Sequence, residues 1–435
     1  MKVMKFGGTS VGSPQRIKNV ASLISDEKQK FVVLSAMSGT TNSLVEISDY
    51  LSKNNPLGAN NIIKKLEGIY CKHVDELYST EEYKQITKRF IIDEFKYLRS
   101  LTKQGYSTTR EKEILAQGEI ISTNMMTNYL KECGKNVSAL DFMRITEDDE
   151  PDLLYTEQHL KKILDDNHGY NIYITQGFIC RNSKGDVDNL KRGGSDYTAS
   201  LIGSAINAEE IQIWTDIDGM HNNDPRFVDN TKPVKQLNFD EAAELAYFGA
   251  KILHPTCILP AKFAGIPVRL LNTMDPKAPG TIINNNIEKR KIKAIAAKDG
   301  ITVIRIVSSR MLLATGFLRK VFEIFETYKT SIDMVTTSEV GVSMSIDNKT
   351  HLNEIISELK KYGTVDIDND MCIICVVGDL EWGNVGYESL ITSAMSDIPV
   401  RMVSYGGSYH NISFLIRSDD KAKALKALSE KLFND

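Results

Sequence analysis

The sequence opens on residue types that suit the binding of a phosphate group. Lys5 ends a short apolar stretch, and the turn that follows contains Gly7, Gly8 and Ser10. Glycines let backbone N–H groups approach phosphate oxygens, the start of a following helix adds positive potential, and a lysine adds a point charge. We interpret this run as a phosphate cradle, although an ordinary strand–turn–helix would use the same glycines for its turn.

A second glycine turn, Arg192-Gly-Gly-Ser-Asp196, precedes a helical stretch of small residues. Arg192 offers parallel N–H donors for a carboxylate or a phosphate, and the carboxylate of Asp196 can orient a lysine or a magnesium-bound water. The alternative is a solvent-exposed Arg–Asp pair in a structural turn. Two phosphate-type turns in one α/β domain favour phosphoryl transfer.

Three polar side chains suit the binding of a small substrate. Ser35 and Thr41 belong to a turn after an apolar stretch, so their hydroxyls can bind substrate or phosphate oxygens. Glu119 lies where we expect a helix to begin, and its carboxylate suits a substrate ammonium. An unremarkable turn and a glutamate that favours the helix dipole are the alternatives.

The segment from Trp214 to Arg226 carries candidates for nucleotide binding. It combines a strand end with an Asp-Pro-Arg turn, and ligands of α/β proteins bind at the carboxyl edge of the sheet. Lys251 follows a glycine that ends a helix and can reach a phosphate, but a surface lysine would look the same. We interpret His254, which precedes a proline, as structural.

These side chains need elements that position them. Short β-branched stretches alternate with helical stretches up to about residue 271, which predicts a mostly parallel sheet built from βαβ units. Ser13 and Pro14 supply an N-cap and a first-turn proline for a helix after the first glycine turn. Apolar residues recur at helical spacing between residues 54 and 105, which predicts a helical insertion there. The predicted strands are 3–6, 31–35, 137–141, 172–176, 211–215 and 268–271.

A change of composition separates a second region of the chain. Pro, Gly and Asn cluster between residues 275 and 286, where the apolar periodicity breaks. Two similar βαββαβ-like patterns follow, with matched segments at 332–335 and 400–403, so we infer an internal duplication. Cys372 and Cys375 have CxxC spacing but lie in an apolar run, which favours a buried strand over redox or metal chemistry.

The composition narrows the classes of partner. The chain has 435 residues, of which 42% are hydrophobic, and a formal net charge of -4. This length predicts two or three domains, and the mixed charges give no footprint for nucleic acid or an anionic membrane, so small molecules are the expected partners. No apolar run approaches the roughly 18 residues of a membrane span and no targeting segment is visible, so a cytoplasmic location is expected. We assign no metal ligand.

The chain resembles the aspartate kinases of the amino acid kinase superfamily over nearly its whole length. The resemblance implies a three-layer α/β/α sandwich with a mostly parallel sheet, followed by two ferredoxin-like ACT domains of the α+β class. The catalytic domain would span residues 1–285, with the insertion at about 54–105. The regulatory region would span 290–435, with ACT domains at about 300–368 and at about 371–435 with 290–299. The motifs that carry the resemblance are Lys5-Phe-Gly-Gly-Thr-Ser10, Arg192-Gly-Gly-Ser-Asp196, Trp214-Thr-Asp with Asp224-Pro-Arg226, and Phe248-Gly-Ala-Lys-Ile-Leu-His-Pro255.

The resemblance also implies a reaction. ATP and L-aspartate would give ADP and 4-phospho-L-aspartate, the first step towards lysine, threonine and methionine, with Mg²⁺ bound to ATP. An aspartate carboxylate is already ionised at neutral pH, so the reaction needs no general base and only has to bring two anions together. Lys5 and Asp196 would be catalytic. The ATP-binding residues would be Lys5, Gly7, Gly8, Ser10, Thr215, Asp216, His221, Arg226 and Lys251, and the aspartate-binding residues would be Ser35, Thr41, Glu119 and Arg192.

The regulatory region resembles the effector loop of lysine-inhibited aspartate kinases, so L-lysine is the expected effector. The alternative is that these polar residues are merely exposed in a loop. ACT modules usually bind such ligands at paired edges, which implies a homodimer or a dimer of dimers through the ACT domains. The residues implied for the effector site are Met311, Gly316, Ser331, Asp333, Ser338 and Glu339.

Two positions depart from the family pattern, and two other functions stay open. Lys191 stands where the family usually has glycine, and His221 stands where it often has tyrosine near the nucleotide. Another amino acid kinase acting on glutamate, N-acetylglutamate or carbamate is disfavoured by the insertion and the ACT-like region. A catalytically silent amino acid sensor is disfavoured by the retained Lys5, Arg192 and Asp196.

Overall fold

The computed structural model describes residues 1–131, 134–190, 193–249, 254–311 and 315–433. The chain divides into two compact units, each of which is described by itself. Unit 1 comprises Met1–Met220 and Leu253–Asn285, and unit 2 comprises His221–Ile252 and Asn286–Asp435.

Strands and helices are numbered along the chain. The strands are β1 Lys2–Phe6, β2 Lys30–Leu34, β3 Gly134–Asn136, β4 Ile172–Gln176, β5 Ile179–Arg181, β6 Val187–Asn189, β7 Glu210–Thr215, β8 Gln236–Asn238, β9 Val268–Asn272, β10 Thr281–Asn284, β11 Ile292–Val307, β12 Val335–Thr337, β13 Gly341–Ile346, β14 Thr364–Gly378, β15 Val400–Tyr405 and β16 Asn411–Arg417. The helices are α1 Pro14–Ile24, α2 Thr40–Ser52, α3 Pro56–Leu77, α4 Glu81–Thr102, α5 Thr108–Leu130, α6 Ala139–Phe142, α7 Leu153–Asp166, α8 Gly194–Ala205, α9 Phe239–Tyr247, α10 Leu259–Ala264, α11 Phe317–Thr327, α12 Leu352–Leu359, α13 Tyr387–Ala394 and α14 Lys421–Phe433.

The sheet of unit 1 runs β3-β4-β2-β1-β7-β9-β10. Neighbouring strands are parallel except for the antiparallel pair of β9 and β10, so the predicted mostly parallel sheet is confirmed. Because β1 and β2 are covered on both faces, their sequences are almost continuously apolar. The carboxyl ends of β2, β1 and β7 therefore lie side by side at one edge.

A helix follows the first glycine turn, as predicted. Ser13 caps α1 by accepting a hydrogen bond from the backbone N–H of Arg16 at 3.3 Å, and Pro14 occupies the first turn. Ile17, Val20 and Ile24 lie on the buried face of the helix. The cap and the apolar stripe together explain why the chain leaves the turn as a helix.

The predicted helical insertion is confirmed by α3 and α4. Their apolar faces join the main core of unit 1 through side chains such as Tyr70 and Phe95, both of which are fully buried. The helices pack on α2 and α5, which border the candidate site described below. The insertion thus belongs to the core of unit 1.

One predicted strand is wrong. Five of the six predicted strands occur within one residue of their expected positions, but residues 137–141 do not form a strand. Ser138 instead accepts a hydrogen bond from the N–H of Leu140 at 3.3 Å and begins the short helix α6. The N-capping serine outweighs the apolar pattern, and the neighbouring strand β3 lies just before it at Gly134–Asn136.

The sheet of unit 2 is antiparallel and runs β12-β13-β11-β14-β16-β15. The long strands β11 and β14 pair along both of their halves, with a register shift near residues 298–303 of β11. One half carries a core with α11 and α12, and the other half carries a core with α13 and α14. In chain order the first half contains β11, α11, β12, β13, α12 and β14, which is the predicted βαββαβ pattern. The second half contains β14, α13, β15, β16 and α14, and its remaining strand is the start of β11. The internal duplication stays an inference. Cys372 and Cys375 are buried in β14, as predicted.

Residues 221–252 belong to unit 2, although the sequence placed them inside a region that ends at residue 285. Their helix α9 begins with a capping box in which Asn238 and Glu241 satisfy each other's backbone N–H groups. α9 packs on β11 and β14. Within the described residues, no helix of either unit combines the length and the apolarity of a membrane span.

Candidate active site

A cleft of about 500 Å³ lies at the edge where the parallel strands of unit 1 end. It collects residues from four distant parts of the sequence. The predicted site residues among its described lining are Lys5, Gly8, Ser35, Thr41, Glu119 and Asp196. Further lining residues are Thr9, Ala36, Met37, Ser38, Gly39, Asn42, Phe178, Gly193, Gly194 and Ser195.

Lys5 and Asp196 form an ion pair in this cleft. The register of β1 places Lys5 between Val33 of β2 and Ile213 of β7, close to the carboxyl ends of all three strands. The Lys5 Nζ lies 2.7 Å from Asp196 Oδ1, and the two side chains are 10% and 15% exposed. Because the pair is largely withdrawn from water, its charges act more strongly than those of a surface pair.

The glycine turn before α8 explains how Asp196 reaches Lys5. Gly193 caps α8 with a φ of 66°, in the left-handed region that favours glycine. A Cβ at this position would lie 2.2 Å from the Sγ of Cys257, so a larger residue would also clash. Asp196 lies in the first turn of α8. The positive end of the helix therefore faces the same cleft as the lysine.

A second helix also begins at the cleft. Thr41 lies in the first turn of α2, after Gly39, whose φ is 83°. Gly8 approaches the segment before α2 so closely that a Cβ on it would lie 2.8 Å from the carbonyl oxygen of Ala36. The cleft thus combines the N-termini of two helices with the ammonium of Lys5, an arrangement that suits anions.

Glu119 is buried at the base of the cleft. It lies in the interior of α5, which corrects the prediction that it stands at a helix start. Its side chain accepts a hydrogen bond from the backbone N–H of Ala36 at 3.2 Å. Burial raises the pKa of the carboxyl to about 7, despite the opposing effect of this hydrogen bond. The group is poised to ionise when a cation binds beside it.

Two serine hydroxyls meet in the cleft. The Ser35 Oγ donates to the Oγ of Ser195 at 2.9 Å, and the Ser122 Oγ donates to the carbonyl oxygen of Ser35 at 2.8 Å. Sequence reasoning gave Ser195 no role, although it stands between Gly194 and Asp196 in a motif already singled out. Its position in the first turn of a helix after two glycines is the signal that could have identified it.

Gly7 and Ser10 do not present their polar groups to the cleft. The N–H of Gly7 donates to the carbonyl oxygen of Trp214 at 3.2 Å. The Ser10 side chain is fully buried, and its Oγ lies 2.7 Å from Thr273 Oγ1 and 3.4 Å from the carbonyl oxygen of Trp214. Both residues bind the turn to the ends of β7 and β9.

The predicted nucleotide residues fall into both units. In unit 1, Thr215 ends β7 and its Oγ1 accepts from the N–H of Ile217 at 3.1 Å, while Asp216 is exposed in the turn that follows. In unit 2, the Nδ1 of His221 lies 2.8 Å from Thr231 Oγ1. Arg226 is also in unit 2 and is 77% exposed, with a bidentate ion pair to Asp224. Arg192, Lys251 and the departing residue Lys191 lie outside the described residues.

The residues predicted for an effector site all lie in the first half of the unit 2 sheet and its loops. Gly316 caps α11 with a φ of 83°, and Met311 ends a short 3₁₀ turn before it. Ser338 and Glu339 are exposed in the turn between β12 and β13, and Ser331 is exposed after α11. Asp333 differs from them, because its side chain is only 1% exposed and is paired with Lys298 at 2.8 Å.

The geometry of the cleft favours a ligand that carries both negative and positive charge. Lys5 and two helix N-termini attract anionic groups, whereas the buried Glu119 attracts a cation. The cleft has no histidine among its described lining residues, so no imidazole base stands ready there. Such a site suits the transfer of a group between anions, one of which is attached to an ammonium.

Two known domain families match the chain. The Amino acid kinase family matches residues 1–272, and the ACT domain matches residues 374–432. Aspartokinase 1, chloroplastic, of Arabidopsis thaliana is 35% identical over 463 aligned residues, which cover 99% of this chain and 80% of the relative. Lysine-sensitive aspartokinase 3 of Escherichia coli (strain K12) is 30% identical and is covered over 99% of both chains.

Two solved structures are similar over the full length of the chain. E. coli aspartokinase III in complex with aspartate and ADP, in the R-state, has a TM-score of 0.86 and 30% sequence identity, with 100% of both chains covered. The same enzyme in complex with lysine and aspartate, in the T-state, has a TM-score of 0.85 and 32% identity, again with 100% of both chains covered.

Proposed function

The chain belongs to the amino acid kinase family, and on that basis we propose that it is an aspartate kinase. It transfers the γ-phosphoryl group of ATP to the side-chain carboxylate of L-aspartate and gives ADP and 4-phospho-L-aspartate. The observation that carries this proposal is the joint presence of the Lys5–Asp196 ion pair and the buried Glu119 in one cleft. Relatives that carry the name aspartokinase match along nearly the whole chain, which favours aspartate over glutamate.

Substrate selection follows from the charges of the cleft. Aspartate brings an ammonium, an α-carboxylate and a side-chain carboxylate, and Glu119 is the anionic partner for the ammonium. The α-carboxylate would bind Arg192, which lies outside the described residues, together with the hydroxyls of Ser35 and Thr41. This pairing of opposite charges fixes the orientation of the amino acid, so that its side-chain carboxylate points to the phosphoryl group.

The transfer itself needs no proton movement. One oxygen of the aspartate side chain attacks the γ-phosphorus, the bond from this phosphorus to the bridging oxygen of ADP breaks, and the electron pair stays on ADP. Lys5 neutralises the charge on the phosphoryl oxygens while the phosphoryl group is transferred, and Asp196 holds the lysine in place. The N-termini of α2 and α8 add positive potential on either side.

The chemistry of the lining also fits magnesium that arrives with ATP. Mg²⁺ is usually held by one or two carboxylates together with substrate phosphates, and Asp196 is a carboxylate at the cleft. When bound, the ion supplies further positive charge to the phosphate oxygens. Thr215 and Asp216 at the end of β7, together with Gly7, Gly8, Ser10, His221, Arg226 and Lys251, stay our proposed nucleotide residues. The Gly7 N–H and the buried Ser10 hydroxyl are bonded within the fold, so these two residues would act by shaping the turn.

We extend the proposal to regulation. L-lysine is the proposed inhibitor, and Met311, Gly316, Ser331, Asp333, Ser338 and Glu339 are its proposed ligands. The name of the lysine-sensitive E. coli relative and the lysine complex of its structure support this assignment. Assembly into a homodimer or a dimer of dimers through the ACT domains, and a cytoplasmic location, likewise stay predictions.

A hydroxylamine trap for acyl phosphates tests the reaction. The purified chain is incubated with MgATP, hydroxylamine and one of three acids: aspartate, glutamate or N-acetylglutamate. We expect hydroxamate formation with aspartate alone, because Glu119 needs an ammonium that N-acetylglutamate lacks, and because the relatives named aspartokinase favour aspartate over glutamate. A signal with glutamate but not with aspartate would overturn the substrate, and the absence of a signal with every acid would favour the silent sensor.

A further inference from the structure

A cluster of charged and aromatic side chains lies between α9 and the antiparallel sheet of unit 2. The Lys298 Nζ is 2.8 Å from Asp333 Oδ1 and 2.9 Å from Asp347 Oδ2. The hydroxyl of Tyr247 donates to the same Asp333 Oδ1 at 2.7 Å. The Lys298 ammonium also lies 4.5 Å from the centroid of the Tyr247 ring. We call these four residues the Lys298 cluster.

The Lys298 cluster contains Asp333, whose carboxylate we propose as an effector ligand. The Asp333 side chain is 1% exposed, and its buried Oδ2 has no hydrogen-bond partner among the described residues. Burial lowers the pKa of Lys298, but hydrogen bonds to Asp333 and Asp347 outweigh it and raise the pKa, so the side chain is a cation. An ammonium of the chain itself therefore stands where an ammonium of a ligand would bind.

Lys298 has a second carboxylate partner besides Asp333. Its second partner, Asp347, is 43% exposed and keeps the lysine charge compensated after Asp333 is lost. Two ammonium groups on one buried carboxylate repel each other, so a cationic ligand that binds Asp333 competes with Lys298. The displacement also removes the lysine from the face of the Tyr247 ring.

Tyr247 lies at the end of a helix that is attached to both halves of the sheet. α9 contacts the first half through Tyr247 and Asp333, and the second half through Glu244, whose Oε2 accepts from Asn411 Nδ2 at 2.5 Å. Gly249 follows with a φ of 124°, and a Cβ on it would lie 2.1 Å from the carbonyl oxygen of Ala297. Four residues after Tyr247 the sequence reaches Lys251, the proposed nucleotide ligand.

We propose that Lys298 is an internal competitor of the effector, and that Tyr247 couples the occupancy of Asp333 to α9. An amino acid with a side-chain ammonium takes Asp333, Lys298 moves to Asp347, and Tyr247 loses its contact with the Lys298 ammonium and the bond of its hydroxyl to Asp333. The change acts at the C-terminal end of α9, where Tyr247 lies. The inference rests on the proposed lysine inhibition and names the residues by which it acts.

The competitor role is tested with Lys298→Met and Lys298→Arg in the full chain, with L-lysine binding measured by isothermal titration calorimetry. Lys298→Met keeps the bulk of the side chain but removes the charge, so lysine should bind about tenfold more tightly. Lys298→Arg keeps the charge and should bind lysine as the natural chain does. Unchanged or weaker binding in Lys298→Met overturns the competitor.

The coupling role is tested with Tyr247→Phe, which keeps the ring and removes the hydroxyl. Lysine should still bind, but the ratio of activity without lysine to activity at saturating lysine should fall towards one. Without any ligand, amide hydrogen exchange in residues 239–249 should be about tenfold faster. Tyr387→Phe is the matched control, because its hydroxyl donates to the carbonyl oxygen of Arg290 at 2.6 Å outside the cluster.

The outcomes separate the inference from the proposed function. If the natural chain neither binds lysine nor responds to it, the proposed effector is overturned and the competitor with it. Exchange in α9 is measured without ligand, so it still decides whether Tyr247 holds the helix. Unchanged exchange in Tyr247→Phe overturns the coupling in either case, and an unchanged activity ratio overturns it when the natural chain responds to lysine.

Discussion

Two lysine–aspartate pairs, one in each unit, have similar geometry and different surroundings. Lys5 and Asp196 are 2.7 Å apart, and Lys298 and Asp333 are 2.8 Å apart. The first pair lines an open cleft. In the second pair, Asp333 also accepts a hydrogen bond from the Tyr247 hydroxyl, and Lys298 is shared with Asp347. Distance alone therefore does not distinguish a catalytic pair from a regulatory one.

The difference lies in what each lysine can still do. In the described residues, Asp196 is the one carboxylate paired with Lys5, so donors of the ammonium are left for an incoming phosphoryl group. Lys298 already holds two carboxylates and can serve a ligand only by leaving one of them. The first lysine is arranged to stay and bind, and the second is arranged to be exchanged.

The comparison is tested most severely by Lys5→Ala. Removal of the charge from the phosphoryl path should lower kcat by about 10³-fold or more, because preorganised charge supplies much of transition-state stabilisation. The far-ultraviolet circular dichroism spectrum should not change. Lys2→Ala is the matched control on the same strand, since Lys2 is only paired with Glu210 at 3.5 Å. A Lys5→Ala chain with near-normal turnover would refute the catalytic role.

Glu119→Gln tests the cationic half of the substrate site. Loss of a charge-assisted contact to the ammonium should raise the aspartate KM by about 10- to 100-fold, since such a contact contributes about 1.5–3 kcal/mol. The ATP KM should hardly move. Glu111→Gln on the same helix is the control, because Glu111 only accepts from the Tyr106 hydroxyl at the surface. A similar rise in both KM values would point to general damage instead.

The raised pKa of Glu119 also predicts how stability varies with pH. The folded pKa of this carboxyl is about 7 and its ordinary value is 4.5, so the protonated carboxyl stabilises the fold fully below pH 4.5, and this stability is lost as the pH rises through 7. At pH 8 the buried charge costs up to about 3 kcal/mol. Glu119→Gln should therefore unfold at higher urea concentration than the natural chain at pH 8, and the gain should shrink at pH 5. A gain that is equal at both pH values would contradict the assignment.

Asp333→Ala tests the regulatory pair. The substitution removes the carboxylate that the effector shares with Lys298, so half-inhibition should require at least about tenfold more lysine. The turnover of Asp333→Ala without lysine reports whether the Lys298 cluster also supports the active state. Asp366→Ala is the control, because Asp366 is exposed on the same sheet and its ion pair with Arg305 is long, at 3.8 Å. Unaltered inhibition in Asp333→Ala would remove this residue from the effector site.

Periodic patterns predicted most of the fold. They did not predict where a capping residue overrides an apolar pattern, or to which unit a segment belongs. The parallel strands of unit 1 are short apolar runs because both of their faces are covered, and five of the six appear where the pattern placed them. Residues 137–141 were misread because a capping serine decided the local structure. The placement of residues 221–252 in unit 2 could not be predicted from the sequence, because an amphipathic helix does not specify which sheet will cover it.

The candidate site was predictable as far as motifs carried it. Lys5, Glu119 and Asp196 reach one cleft because the ends of parallel strands meet at one edge. A glycine-rich turn does not say where each of its side chains points, so the burial of Ser10 was not foreseen. The Lys298 cluster was missed because its hydrogen bonds to Asp333 span 35 and 86 residues of sequence, and no local pattern records such contacts.

Ser195→Ala is expected to have the smallest kinetic effect of these variants of the cleft. Ser195 accepts a hydrogen bond from Ser35 at 2.9 Å and does not contact the Lys5–Asp196 pair in any described hydrogen bond. If both hydroxyls position aspartate, the aspartate KM should rise about fivefold while kcat stays within about twofold, the size expected for one neutral hydrogen bond. Ser22→Ala, whose hydroxyl only donates to Asn19 within α1, should leave both constants unchanged. A fall in kcat without a change in KM would instead place Ser195 with the phosphoryl group, on the side of the cleft where Lys5 acts.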